Sequence, residues 1–100
     1  MLNMEKRQEG STLTVKLTGR LDTNTAPVFQ SEVEPFLADL SKLMLDFENV
    51  DYISSAGLRV LLTFEQDLEE QGKTMELCHV NDMIHDVFDV TGFLDILTII

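Results

Sequence analysis

Two adjacent serines, Ser54 and Ser55, stand in the stretch DYISSAGLRVLL at 51–62, where the residue pattern changes from strand to helix. A serine hydroxyl at a helix N-terminus caps unpaired backbone N–H groups, so capping alone explains one serine. The same position favours a phosphate, because the positive end of the helix dipole lies there. Gly57 would allow a close backbone approach and would leave the hydroxyl uncovered. The stretch therefore predicts either a helix cap or a serine that accepts a phosphate.

A nucleophilic serine is the second chemistry that this stretch suggests. The elbow of serine hydrolases, G-x-S-x-G, has small residues two positions before and two positions after the serine. Gly57 fits the later position, but Ile53 occupies the earlier one. No spacing places His79 or His85 as the general base that a serine nucleophile needs. The sequence therefore disfavours a serine hydrolase, and we predict no catalytic residue and no enzyme activity.

Metal and cofactor motifs give no positive signal in the sequence. Cys78 and His79 are adjacent, and neighbouring side chains of a strand point to opposite faces, so they are not expected to share a metal ion. The carboxylates are scattered without the spacing of a cation-binding loop. Phosphate-binding motifs rich in glycine are also missing. We therefore expect neither a metal site nor a cofactor.

The segments before the serine pair must place it in space. Residues 13–17 alternate between apolar and polar, which predicts a strand with one buried face. Residues 4–9 precede this strand across a turn signal at Gly10 and Ser11, so the two segments should form a hairpin. Residues 43–47 are mostly apolar and predict a short strand in the sheet centre. Residues 48–52 are expected to lead away from that strand into the serine pair.

Helices are predicted both before and after the central strand along the chain. A helical apolar pattern begins near Ala26, and Pro35 should kink or restart it, because an interior proline costs about 3 kcal/mol. A second helix is predicted over 56–71, with a glycine following as its stop. Residues 75–80 form another predicted strand, after which Asn81 caps a short helix.

The order of these elements predicts an α/β domain. Strand–helix–strand units cross right-handed and pair in parallel, while the N-terminal hairpin is antiparallel. The expected fold is one mixed sheet of four to five strands with helices packed mainly on one face. The apolar tail at 94–100 should pack as a strand or a last helix. No linker or repeat interrupts the pattern, so residues 1–100 are predicted to be a single domain.

Charge and cysteine content limit the classes of partner and compartment. The formal net charge is -11, which would repel nucleic acid and anionic membrane surfaces. Cys78 is the only cysteine, which excludes a disulfide scaffold and suggests an inert thiol. The N-terminal ten residues lack the apolar core of a signal peptide. These features predict a soluble cytoplasmic protein without nucleic-acid or membrane partners.

Three segments together resemble the STAS domain of bacterial anti-sigma factor antagonists. They are GRLDT at 19–23, LMLDFENVDYISSAGLRVLL at 43–62 and TMELCHVNDMIHDVFDVTGFLDILTI at 74–99. The resemblance covers nearly the whole chain and implies a single mixed sheet with helices against it. It also implies a switch: the unphosphorylated antagonist binds an anti-sigma factor, an ATP-dependent serine kinase, and thereby frees a sigma factor. The phosphorylated form dissociates, and a phosphatase resets it.

The resemblance assigns roles to residues of the serine stretch. The family pattern of aspartate, serine, serine or threonine, glycine and leucine falls on residues 54–58, which makes Ser55 the implied phosphoacceptor. Ser54 replaces the aspartate and is therefore an alternative acceptor. The phosphosite environment comprises Ala56, Gly57, Leu58 and Arg59, and the last of these replaces a common glycine. The implied partner-binding loop comprises Asp22, Thr23, Asn24 and Thr25.

Two questions stay open at this point. Arg59 follows Ser55 by four residues, so it could pair with a phosphoserine on the same helix side or remain a solvated arginine. The same domain also serves as an accessory of transporters or ATPase complexes, where it binds without being phosphorylated.

Overall fold

A single mixed sheet organises the chain, and the computed structural model describes residues 2–100. The strands are β1 (Leu2–Glu9), β2 (Thr12–Leu21), β3 (Lys42–Ile53), β4 (Thr74–Cys78) and β5 (Thr98–Ile99). The helices are α1 (Ala26–Val33), α2 (Ser55–Glu70) and α3 (Asp82–Val90), with 3₁₀ turns at Glu34–Asp39 and Phe93–Asp95. The five strands follow one another in chain order across the sheet, and β1 alone is antiparallel to its neighbour.

The helices cover one face of this sheet, as the sequence predicted. Along β3, Leu43, Leu45 and Phe47 are completely buried beneath the helices, whereas Met44 and Asp46 point to the other face and stay partly exposed. The same alternation holds in β2 and β4. We call the uncovered side, which carries Met44 and Asp46, the open face. The predicted class, a mixed sheet with helices mainly on one face, is confirmed.

Aromatic side chains join the helices to the sheet in the core. Phe29 of α1 meets Phe64 of α2 edge to face, with ring centroids 5.4 Å apart. The ring centroids of Phe47 in β3 and Phe88 in α3 are 6.2 Å apart, so the third helix packs on the central strand. Fully buried aromatic rings of this kind dominate core energetics. They fix the helices, and hence the start of α2, relative to the sheet.

Several element boundaries agree with the sequence. The restart expected at Pro35 is present, because α1 stops at Val33 and the chain continues as a 3₁₀ turn from Glu34. Asn81 caps α3, since its side-chain oxygen accepts a hydrogen bond from the Ile84 N–H at 2.9 Å. The tail forms a 3₁₀ turn and then β5, so the strand alternative is the correct one.

The extent of β3 and β4 departs from the sequence expectation. Residues 48–52 were expected to leave the sheet, but β3 continues to Ile53 and remains paired with β2. Two register shifts in this pairing replace the strict alternation, which is why the pattern of 48–53 does not look like a strand. β4 ends at Cys78 instead of Val80. Among residues 2–100, no helix is both long enough and apolar enough to span a membrane.

Candidate functional site

The serine pair lies at the sheet edge where the carboxyl ends of two parallel strands meet. Leu21 at the end of β2 pairs with Ile53 at the end of β3. The backbone N–H of Ser54 then donates to the Leu21 carbonyl at 2.9 Å. The loop at 22–25 follows one strand and α2 follows the other, so both leave the sheet side by side. Carboxyl ends of parallel strands are the usual place for sites in open α/β sheets.

The two serine hydroxyls have different environments. Ser54 is the N-cap of α2: its backbone is extended, and its side-chain oxygen accepts from the Gly57 N–H at 3.4 Å. Ser55 is the first residue of the helix and is exposed. Within residues 2–100 its hydroxyl has no hydrogen-bond partner. Helix capping therefore explains Ser54, whereas the Ser55 hydroxyl stabilises no other group within residues 2–100.

Gly57 serves the packing of α2 rather than the exposure of a hydroxyl. It is buried, and a Cβ there would lie 2.9 Å from the Leu21 carbonyl oxygen, Leu21 Cγ and Ile53 Cγ1. Real Cβ atoms do not approach other heavy atoms so closely. The close backbone approach predicted at this position is therefore present. The helix start is held against the ends of β2 and β3 because this residue has no side chain.

Asp22 organises the neighbouring loop. Its carboxylate accepts hydrogen bonds from the N–H of Asn24 at 2.9 Å and of Thr25 at 3.0 Å. The Thr25 hydroxyl donates to the Arg20 carbonyl at 2.7 Å and closes the turn. The hydrogen bond from the Thr25 N–H is the main reason that the pKa of the Asp22 carboxyl lies below its ordinary value. Asp22 and Thr25 are therefore occupied inside the loop, while Thr23 and Asn24 are exposed.

Sequence reasoning missed an arginine–tyrosine pair at the same edge. Arg20 and Tyr52 are register partners in β2 and β3, and the guanidinium carbon lies 4.2 Å from the ring centroid. Arg20 Nε also lies 3.7 Å from an Asp22 carboxylate oxygen. Tyr52 keeps 40% of its surface exposed. The missing signal was the pairing of 48–53 with β2, which alone brings these two residues together.

Arg59 lies on the exposed side of α2, one helical turn beyond Ser55. Every other lysine and arginine of residues 2–100 has an ion-pair or hydrogen-bond partner. Five have carboxylate partners: Lys6, Arg7, Lys16, Arg20 and Lys42. Lys73 donates to two backbone carbonyls. The Arg59 guanidinium has no such partner in the described part of the chain, so its charge is available to an external anion.

The expectation that Cys78 and His79 point to opposite faces is wrong. β4 ends at Cys78, and His79 adopts a left-handed backbone with φ 56°. This turn brings His79 Nδ1 to 3.1 Å from an Asp46 carboxylate oxygen on the open face. Burial and the negative charge of Asp46 raise the pKa of the Cys78 thiol. His85, the second histidine, is exposed on α3.

Comparison with known proteins adds the relatives of this chain. It is 26% identical over 98 residues to the anti-sigma-B factor antagonist of Bacillus subtilis, covering 98% of this chain and 90% of that protein. The Staphylococcus aureus anti-sigma-B factor antagonist is 29% identical over 97 residues, covering 96% of this chain and 90% of that one.

A similar fold occurs in the solved structures of SpoIIAA, an anti-sigma factor antagonist of Bacillus. Its unphosphorylated form superimposes with a TM-score of 0.85 at 16% identity, covering 98% of this chain and 88% of that one. Its phosphorylated form gives 0.78, also at 16% identity, with 98% and 91% covered. The STAS domain model matches residues 3–100. The chain therefore belongs to the STAS domain family.

Proposed function

We propose that this chain is an anti-sigma factor antagonist that is switched by phosphorylation of Ser55. The observation that carries the proposal is that the two serine hydroxyls have different environments. Ser54 supplies the cap of α2, and Ser55 presents an exposed hydroxyl at the positive end of a helix of 16 residues. The relatives named as anti-sigma-B factor antagonists support the same function. In this proposal the chain is a ligand and a kinase substrate, not an enzyme, and it works in the cytoplasm without a cofactor.

The partner is an anti-sigma factor with ATP-dependent serine kinase activity. In the unphosphorylated state, the start of α2 and the loop at 22–25 contact this partner, and the sigma factor is released. Thr23 and Asn24 offer exposed polar groups to the contact, while Asp22 and Thr25 hold the loop in shape. Tyr52, exposed beside this loop, extends the same surface. Large aromatic side chains often anchor protein interfaces.

Phosphorylation would act on the surface rather than on the fold. A phosphate brings about −1.5 to −2 charges and is tolerated at a helix N-terminus. The chain already carries a net charge of -11, so the partner must present cationic or neutral groups to bind it. A further dianion in the contact would repel the partner and fit poorly. A phosphoserine phosphatase then restores the binding-competent state.

The direct test is phosphorylation by the anti-sigma factor kinase encoded in the same genome. With that kinase and ATP, we expect one phosphate per chain on the tryptic peptide 43–59, which contains both serines. Fragment masses should assign it to Ser55. Ser55→Ala should abolish labelling. Ser54→Ala should keep it, although loss of the cap costs about 1 kcal/mol of stability.

Two results would contradict this assignment. Full labelling of Ser55→Ala would move the acceptor to Ser54 or elsewhere. Failure of the wild-type chain to be labelled, combined with a stable complex containing a transport ATPase, would replace the switch with an accessory binding role. Circular dichroism of both variants ensures that a labelling defect is not a folding defect.

Arg59 is proposed to stabilise the phosphorylated state. Residues four apart on a helix are neighbours, and exposed charge pairs at this spacing contribute up to about 1 kcal/mol. The phosphatase should therefore dephosphorylate phosphoserine 55 about two- to fivefold faster in the Arg59→Gln variant than in wild type. Arg7→Gln, which removes an exposed arginine of β1, is the matched control. Unchanged dephosphorylation and partner release in Arg59→Gln would remove this role.

A further inference from the structure

Three potential metal-binding side chains meet on the open face, far from the serine pair. Asp46 of β3 and Cys78 of β4 are register partners, so their side chains lie side by side on that face. His79 follows directly. The carboxylate oxygen, the thiol sulfur and an imidazole nitrogen all lie within 4.8 Å of one another. Two strands and the turn after β4 thus bring three different donor types together.

The distances suit a small tetrahedral ion. Bonds of about 2.0–2.3 Å to zinc place two ligand atoms of a tetrahedron roughly 3.3–3.8 Å apart. His79 Nδ1 and the Asp46 oxygen are already 3.1 Å apart, and the sulfur is within 4.8 Å of both. A rotamer change that moves the Cys78 sulfur by about 1 Å would place the three ligand atoms at three corners of the tetrahedron. A water molecule would fill the fourth.

The backbone of His79 makes this arrangement possible. In a continued strand, Cys78 and His79 would point to opposite faces. The left-handed backbone at His79, with φ 56°, turns the imidazole back toward Asp46. This conformation costs a residue with a side chain roughly 1–2 kcal/mol. The donor set is therefore a property of the folded chain and has no spacing signature in the sequence.

We propose that Asp46, Cys78 and His79 bind a borderline-soft divalent cation of the Zn²⁺ class. Sulfur and imidazole donors select Zn²⁺ over Mg²⁺ and Ca²⁺, which prefer oxygen ligands. Binding replaces the S–H bond of Cys78 with an S–metal bond and releases the proton to solvent. The neutral imidazole binds through Nδ1 and keeps its proton on Nε2. The thiolate and the Asp46 carboxylate together neutralise the ion.

The surroundings support this site in two ways. The backbone N–H of Glu48 donates to the Asp46 carboxylate at 3.0 Å, and such outer hydrogen bonds orient a ligating carboxylate. The Asp46 side chain is 17% exposed and that of His79 is 59% exposed, so an ion can enter from solvent. The net charge of -11 raises the local concentration of cations.

The site is separate from the proposed phosphorylation switch. Ile53, which directly precedes the serine pair, lies seven positions after Asp46 along β3, which corresponds to roughly 23 Å along a strand. The three donors also lie at the face opposite to the helices. Loss of metal binding should leave labelling of Ser55 unchanged, so the two proposals can fail independently.

Cobalt titration of the reduced, metal-free chain tests the proposal, because a cobalt–thiolate bond absorbs in the near ultraviolet. We expect one equivalent of Co²⁺ to produce this band, Zn²⁺ to displace it, and Mg²⁺ in excess to leave it unchanged. Cys78→Ser should lose the band, and His79→Ala should weaken Zn²⁺ binding at least tenfold. His85→Ala, which removes the exposed histidine of α3, is the matched control and should bind as wild type.

Thermal unfolding gives an independent readout. A ligand that binds only the folded state raises Tm, so Zn²⁺ should raise the Tm of wild type and His85→Ala but not that of Cys78→Ser. Equal Zn²⁺ affinity of wild type and Cys78→Ser would overturn the proposal. So would the absence of a thiolate band in the wild-type titration, or displacement of Co²⁺ by equimolar Mg²⁺.

Discussion

Phosphorylation of Ser55 is expected to weaken binding of the chain to its anti-sigma factor kinase by at least about 100-fold, provided that the proposed switch operates. An unpaired charge in a desolvated interface typically costs 2–5 kcal/mol, and about 2.7 kcal/mol corresponds to 100-fold. Ser55 lies at the centre of the proposed contact, between the loop at 22–25 and the exposed side of α2. Isothermal titration of the modified and unmodified chains measures the difference.

The loss of affinity for the partner should increase with the negative charge placed at position 55. Ser55→Ala removes only a hydroxyl that has no partner within residues 2–100, so its affinity should stay within about threefold of wild type. Ser55→Glu adds one charge instead of nearly two, and about a tenfold loss is expected. Ser54→Ala acts through the cap and should change stability more than affinity.

The stability of the phosphorylated chain decides how the switch works. A negative group at the N-terminus of α2 is favourable, so Tm should stay unchanged or rise after phosphorylation. A lower Tm together with weaker binding would instead mean that the phosphate acts by disturbing the fold. Equal affinity of the modified and unmodified chains would contradict the switch itself.

Much of this site follows from local sequence chemistry. Serine followed by a helical apolar pattern predicts the start of α2, and Asp22 with Thr25 predicts a tight polar loop. Parallel pairing of consecutive strands then brings the two segments together at one sheet edge. Which of the two serines forms the cap follows from where the helix begins, and boundaries are the least certain part of a pattern.

Features that depend on register or on unusual backbone angles could not be predicted. The contact between Arg20 and Tyr52 requires β3 to continue past two register shifts. The cluster around His79 requires a left-handed residue that any strand pattern assigns to the opposite face. Both come from tertiary pairing, which overrides the local alternation on which sequence reasoning relies.

Gly57→Ala should destabilise the domain by about 2 kcal/mol, although alanine is the better helix former by about 1 kcal/mol. A Cβ at this position would stand 2.9 Å from three heavy atoms, one of them the Leu21 carbonyl oxygen. Overpacking of this kind typically costs 1–3 kcal/mol. The Leu21 carbonyl also accepts the Ser54 N–H at 2.9 Å, and moving it would weaken that bond by roughly another 1 kcal/mol. The steric term therefore exceeds the gain in helix propensity.

Urea unfolding of Gly57→Ala and Gly72→Ala separates the two kinds of glycine. A Cβ at Gly72 meets nothing within 4 Å, but φ there is 71°, so only backbone strain of roughly 1 kcal/mol is expected. Gly57→Ala should lose more stability and also bind the proposed kinase partner less well, because α2 must move away from β2 and carry Ser55 with it. Stabilisation by Gly57→Ala would mean that propensity prevails and that this junction yields easily. A tight junction, by contrast, is what would hold the Ser55 hydroxyl in one place for both kinase and phosphatase.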